Sequence, residues 1–314
     1  MSCASAKAGN SMNFQSVLDD IHEKIVPLLG QQGEVADYIP ALARVSPHQF
    51  GMALRTRDGV EASTGDSAVA FSIQSISKMF SLTLAMRLHG ESLFQRIGRE
   101  PSGNPFNSLV QLERENGMPR NPFINAGALA VADRLVSAGD AKPAILGLLT
   151  RLCGEPIGFD HEVATSEATS GYRNVALANF MKSFGAIDND VADVLDVYFN
   201  QCAVSMSCRQ LARAAGFLCN DGADPVDDSR VVSDRQARRI NALMLTCGTY
   251  DAAGEFAYRI GLPCKSGVGG GIVAIVPDQL SLCVWSPALD STGNSVMAMK
   301  ALELFAAKTK LSIF

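Results

Sequence analysis

The sequence predicts an α+β protein (α/β in the broad sense). An antiparallel sheet is formed from both chain ends and flanked by helices, and a helical subdomain fills the centre. Three observations predict this. Strand-like runs of apolar and β-branched residues occur near the two ends of the chain only. Turn residues of hairpin type separate them, which favours antiparallel neighbours. Between them, apolar residues recur with helical spacing over nearly two hundred positions.

In chain order, FQSVLDDIHEKIVPLL (14–29) has the spacing of an amphipathic helix. FGMALRTR (50–57), GVEAST (59–64) and AVAFSI (68–73) read as strands joined at Asp58-Gly59 and Gly65-Asp66. From 75 to about 261 the text is mostly helical. ISKMFSLTLAMRLHG is closed by Gly90 and INAGALAVADRLVSAG by Gly139. SDRQARRINALMLTCG is capped by Ser233 and closed by Gly248. GGIVAIV and LSLCVW return as strands around Pro277-Asp278-Gln279, and a last helix runs from about Asn294 to Lys310. Residues 1–12 are small and polar and are expected to be unstructured. Residues 13–314 are expected to form a single domain. Its sheet part spans about 13–74 and 262–314, its helical part about 75–261. The natural cleft lies between the two.

Composition narrows the function. Of 314 residues, 47% are hydrophobic and 19% charged, which suits a chain that buries much of itself. The net charge of -5 argues against nucleic acid as a main partner, which would want a basic face. No stretch has the length of a signal-peptide core or a membrane span. The eight cysteines form no CxxC pair and mostly sit among apolar residues, so they read as free thiols in a reducing cytoplasm. The four histidines are scattered without zinc-ligand spacing, so neither metal nor cofactor is expected.

The stretch with chemistry is FSIQSISKMFSL (71–82), where Ser75 and Lys78 read Ser-x-x-Lys. Residues three apart share a helical face, so the Lys78 amine would reach toward the Ser75 hydroxyl. A serine is a weak nucleophile until a base takes its proton. Lysine can be that base only where burial or a nearby cation lowers its pKa. With nine lysines and 28 serines, chance supplies about 0.8 such pairs, so the pair alone is weak. A second element changes that: Lys265-Ser266-Gly267 runs into an apolar strand, and chance supplies about 0.07 such triplets. Serine acyl-transfer enzymes with S-x-x-K carry K-[TS]-G at this point in the chain order. GVGGG is not read as a phosphate loop, because the glycines precede a strand rather than a helix.

Residues from about 34 to 297 resemble the serine-dependent glutaminase family. The resemblance is carried by VADYIPALA, FSIQSISK, EPSGNPFNSL, NPFINAGAL, SEATSGYRN, DVYFNQCAVSMSC, MLTCGTYDAAGEFAYRIGLPCKSGVGGGI and WSPALDSTGNSV. It implies the fold of β-lactamases and transpeptidases, and hydrolysis of L-glutamine to L-glutamate and ammonia. It implies that Ser75 is the nucleophile and Lys78 its base, with Lys265 adding positive charge nearby. Tyr198 would lie beside the serine and relay its proton. Asn125, Glu167, Asn174, Tyr250 and the main chain of Val268 would bind substrate. Tyr38 would close over it, and Gln74 would sit beneath the nucleophile. A homo-oligomer, dimer or tetramer, is implied as well.

The residue types suit those roles. Glutamine carries an ammonium, which Glu167 can face, and a carboxylate, which amide and phenol donors can serve. Taken alone, a glutamate in SEATS is ordinarily solvated, and a tyrosine in DVLDVYFN ordinarily lies in a helix core. Tyr198-Phe199-Asn200 also fits the Y-x-N element of β-lactamase relatives, which leaves the role of Asn200 open. The alternative reading is a β-lactamase or penicillin-binding-type serine hydrolase, against which the NPFINAG and SEATSGYRN stretches stand. A third is a non-enzymatic amino-acid sensor on the same scaffold, against which the Ser75, Lys78 and Lys265 set stands.

Overall fold

The structure, a computed structural model, describes residues 12–103 and 105–314. The expected unstructured tail therefore lies outside the described residues, apart from Met12. Among the described residues eight strands are present: β1 Gly51–Thr56, β2 Glu61–Gly65, β3 Phe71–Ser72, β4 Gly158–Phe159, β5 Val204–Met206, β6 Cys264–Ser266, β7 Gly271–Val276 and β8 Leu280–Trp285. The helices are α1 Phe14–Ile25, α2 Ser77–His89, α3 Leu109–Arg114, α4 Asn125–Ala138, α5 Ala141–Cys153, α6 His161–Ser170, α7 Tyr172–Ser183, α8 Val191–Cys202, α9 Cys208–Ala214, α10 Asp234–Cys247, α11 Ala253–Arg259 and α12 Val296–Thr309. No described helix is long and apolar enough to cross a membrane.

The main sheet has the order β2-β1-β8-β7-β6, antiparallel throughout, so the two chain ends do build it together. Alternation along the strands sets its two faces. Met52, Leu54, Ile272, Ala274, Leu282 and Val284 pack with Leu18 and Ile21 of α1 and Ala301, Leu302 and Phe305 of α12. Ala53, Val273, Ile275, Cys283 and Trp285 face the other way, into the helical core. There α9 lies across the sheet, and α2 runs through the centre with every residue from Ser77 to Met86 buried.

Two expectations need correction. The first helix stops at Ile25, and Val26–Leu28 continue as a 3₁₀ turn. Pro27, with no N–H to donate, suits that break. AVAFSI is not the third strand of the main sheet. Only Phe71–Ser72 are extended, and they pair with Val204–Met206 in a separate sheet of order β3-β5-β4 within the helical part. That diversion brings the chain away from the sheet and into the cleft.

The glycines of GVGGG explain how the two parts meet. A Cβ on Gly267 would stand 2.4 Å from the carbonyl oxygen of Ile73, and one on Gly269 would stand 2.1 Å from that of Ser72. The β6–β7 turn can press against the backbone just before Ser75 only because these positions carry no side chain.

Candidate active site

Ser75 lies in a 3₁₀ turn, Gln74–Ile76, that feeds directly into α2. The first-turn helical position expected from sequence is thus taken by a tighter coil, in which side chains three apart line up more closely. Gln74 adopts φ +50, an uncommon conformation for a residue with a side chain. It is held there by Ser77 Oγ, which donates to its carbonyl at 2.7 Å. Its Nε2 donates at 3.0 Å to Ser72 Oγ, which donates in turn to the Cys202 carbonyl at 2.9 Å.

Lys78 is 1% exposed. Its Nζ donates to Asn125 Oδ1 at 2.7 Å and to the Phe123 carbonyl at 3.3 Å, and neither bond goes to Ser75. Burial is the main cause that pulls its ammonium down to about 8. Asn125 opens α4, and its Nδ2 donates to Asn174 Oδ1 at 2.9 Å in the first turn of α7. Lys78, Asn125 and Asn174 thus form one chain of hydrogen bonds.

Lys265 enters from the sheet side, on edge strand β6, fully buried. Its Nζ donates to the Ser266 carbonyl at 2.6 Å and to the Gly248 carbonyl at 3.0 Å. Burial and the nearby Lys78 push its ammonium well below the usual lysine range. It stands 5.0 Å from the centre of the Tyr250 ring and 5.6 Å from that of Phe123.

Two tyrosines approach the serine from different elements. The Tyr250 hydroxyl is within hydrogen-bonding reach of the Ser75 side chain and the Val268 main chain. Tyr198 is buried on α8, and its ring centre lies 5.8 Å from Lys78 Nζ. Burial raises both phenols, so both stay protonated.

Beside these groups is a cavity of about 110 Å³. Gln74, Asn125, Glu167, Asn174, Tyr198 and Val268 line it, and Tyr38, 55% exposed, stands at its edge. Glu167, ordinarily a solvated residue in such a stretch, is only 6% exposed. Burial raises its carboxyl to about 7, opposed by a hydrogen bond from Gln74 and by the charge of Lys78. Asn200 is occupied elsewhere, donating to the Asp196 side chain at 2.9 Å. Phe106, Asn107, Ser170, Arg173 and Cys202 also line the cavity and were not singled out from sequence. Phe106 and Asn107 lie within the quoted EPSGNPFNSL and Arg173 within SEATSGYRN, which was the available signal.

The set comprises a buried serine, two buried amines of lowered basicity and a small cavity with one carboxylate. It can carry acyl transfer to and from an amino-acid amide. Comparison with known proteins agrees. The family model described as glutaminase matches residues 33–314. A glutaminase of Sinorhizobium fredii is 55% identical, the match covering 96% of this chain and 97% of that protein. One of Rhizobium leguminosarum bv. trifolii is 57% identical over 96% and 99%. Among solved structures, the probable glutaminase ybaS superposes with a TM-score of 0.91 at 36% identity, covering 96% of this chain and 97% of that one. A probable glutaminase from Bacillus subtilis complexed with 6-diazo-5-oxo-L-norleucine gives 0.87 at 33%, covering 99% and 100%.

Proposed function

We propose, from the premise that the chain belongs to the glutaminase family and hydrolyses L-glutamine to L-glutamate and ammonia, that it does so through a covalent ester on Ser75. Lys78 takes the Ser75 proton as Oγ attacks the side-chain amide carbonyl. With its ammonium near 8, roughly a tenth of the lysine is neutral at pH 7. The developing oxyanion faces the backbone N–H groups of Ser75 and Val268. Collapse of the tetrahedral intermediate expels the amide nitrogen, which takes a proton and leaves as ammonia. Tyr250, protonated and within reach of Ser75, passes that proton along the site. Tyr198 walls off Lys78 from water. A water molecule then attacks the ester and gives up its proton to Lys78, which returns it to Ser75 Oγ as glutamate leaves.

Substrate lies in the cavity with its ammonium on Glu167, and Gln74 supports that carboxylate from beneath. Asn125 and Asn174 hold the α-carbon end, and Tyr38 closes the mouth. Lys265 stands beside Lys78 on the sheet side, its own ammonium held down by burial and by the Lys78 charge. The helical part, about 75–261, supplies Ser75, Lys78 and Glu167. The sheet part, about 13–74 and 262–314, supplies Tyr38, Lys265 and Val268, and the two form a single domain. We place the enzyme in the cytoplasm as a dimer or tetramer. The seven described cysteines are all buried free thiols, which suits a reducing compartment.

The observation that carries the mechanism is Lys78: a fully buried amine of lowered basicity, one helical turn from the serine. The test is Ser75→Ala. It is expected to abolish ammonia release and covalent labelling by 6-diazo-5-oxo-L-norleucine, while calorimetry still detects L-glutamine binding. Turnover or labelling in that variant would end the acyl-enzyme proposal.

A further inference from the structure

We propose that Asn294 is a positioning residue for Tyr250: from the loop 290–294 it holds the peptide that enters Tyr250, so that the phenol hydroxyl meets Ser75. This rests on the reading of Tyr250 as the group that passes the leaving-group proton. The loop belongs to WSPALDSTGNSV (285–296), of which no residue lines the cavity. Any part it takes in the reaction is therefore taken through a neighbour.

Tyr250 needs a holder. Its φ of +56 is a left-handed conformation that a residue with a Cβ keeps only where its surroundings enforce it. It opens a short 3₁₀ turn, Tyr250–Ala252, just past the end of α10. The Thr249 carbonyl, on the peptide that enters Tyr250, accepts Asn294 Nδ2 at 3.1 Å. It also accepts the Ala252 N–H of the same turn at 3.1 Å, so Asn294 ties that turn to another part of the fold. A carbonyl only accepts, which fixes the amide with its nitrogen toward Thr249.

The amide is itself locked. Asn294 is fully buried. Its Nδ2 also donates to Thr292 Oγ1 at 2.8 Å. Thr292 Oγ1 donates in turn to Asp290 Oδ1 at 2.6 Å, and that oxygen accepts the Thr292 and Asn294 N–H groups at 2.8 and 3.1 Å. Gly293 brings the loop backbone against the phenol: a Cβ there would stand 3.7 Å from Cδ2 and Cε2 of the Tyr250 ring. The Phe106 ring packs on the same phenol with 4.8 Å between centres. A chain of contacts thus runs from the Asp290 carboxylate through Thr292 and Asn294 to the backbone of Tyr250, whose hydroxyl has Ser75 within reach.

The test is a double-mutant cycle. Asn294→Asp keeps the shape but sets an oxygen, in place of a donor, against the Thr249 carbonyl. Displacing a proton-transfer group should lower kcat about 10- to 100-fold, with KM for L-glutamine within about 3-fold of the parent. Tyr250→Phe alone should lower kcat about 100-fold. Added to Tyr250→Phe, Asn294→Asp should cost no more than about 2-fold further, because the hydroxyl it positions is gone. Thr292→Val, at a half-buried site, leaves the amide but removes one of its two acceptors. It should lower kcat about 3- to 10-fold, again only where the Tyr250 hydroxyl is present, and it decides the matter if Asn294→Asp does not fold. Losses that multiply in full in the double variants, or a rise in KM that matches the fall in kcat, would mean that Asn294 only supports the fold and would overturn the proposal. A Tyr250→Phe kcat within about 3-fold of the parent would instead remove the proton-passing reading of Tyr250, and this proposal with it.

Discussion

Each wall of the cleft holds one buried lysine, and the two differ in what they hold on to. Lys78, on the helical wall, gives its shorter hydrogen bond to a side chain, Asn125 Oδ1, which is linked onward to Asn174. Lys265, on the sheet wall, gives both of its bonds to main-chain carbonyls, Gly248 and Ser266. Both are depressed by burial. A side-chain partner can turn away when the amine must accept a proton, whereas main-chain partners are fixed by the strand and the helix end. Burial alone therefore does not make a base; the freedom of its partners does. This contrast supports the proposal that the helical lysine, rather than the sheet lysine, moves protons.

Breaking the contrast at the helical wall should have the largest effect. Lys78→Arg keeps the charge but offers a guanidinium that does not deprotonate, so kcat should fall by about 10³-fold or more. A variant within tenfold of the parent would take the base role from Lys78. Next in size is Glu167→Gln, which should lower kcat/KM about 10- to 150-fold, the worth of a hydrogen bond to a charged group. It should also change stability with a defined sign. The Glu167 carboxyl is raised to about 7. The stability it contributes is therefore full below the ordinary carboxylate range and is lost as pH rises through 7. The neutral variant should melt above the parent at pH 8, by about 1–3 kcal/mol in unfolding free energy, and near it at pH 4.5. Equal melting shifts at both values would mean the carboxylate is solvated after all. The smallest effect sharpens the contrast at the sheet wall. Lys265 is held down by burial and by Lys78, but it is not among the causes that lower Lys78. Lys265→Met should therefore leave the limb of kcat/KM that climbs with pH through about 8 in place, with little change on its plateau. A shift of that limb by about half a unit or more would show that Lys265 acts on Lys78 through charge.

What could be read from sequence followed the range of the interactions. The Ser75–Lys78 spacing was legible because it is local, but the partners that Lys78 takes, Asn125 and Phe123, come from a distant segment. The caps at Gly90, Gly139, Ser233 and Gly248 were legible for the same reason. Strands β1, β7 and β8 announced themselves through apolar runs bounded by turns. AVAFSI did so too, but which sheet it joins depends on Val204–Met206, more than 130 residues away, and a two-residue pairing leaves no pattern of its own. The burial of Glu167 was hidden because SEATS is polar and its cover comes from other elements. The approach of Tyr250 to Ser75 had no local sign either. Tyr250 reaches Ser75 from a residue with φ +56, a conformation that nothing in CGTYD announces. Arg173 and Asn107 meet across the fold, and neither carries a spacing that points to the other.

The pairing of β1 with β8, Gly51 opposite Trp285, has a consequence in time. A ribosome delivers Ser75 and Lys78 early, but the strand that carries Lys265 comes about 190 residues later, roughly 10–40 s at ordinary synthesis rates. The main sheet cannot close before then, because β1 has only the short β2 beside it until β7 and β8 emerge. Until that moment the nascent chain holds its serine without the backbone of Val268 and without the second amine. The pair of buried lysines that flanks the cleft is therefore complete only when synthesis is nearly finished.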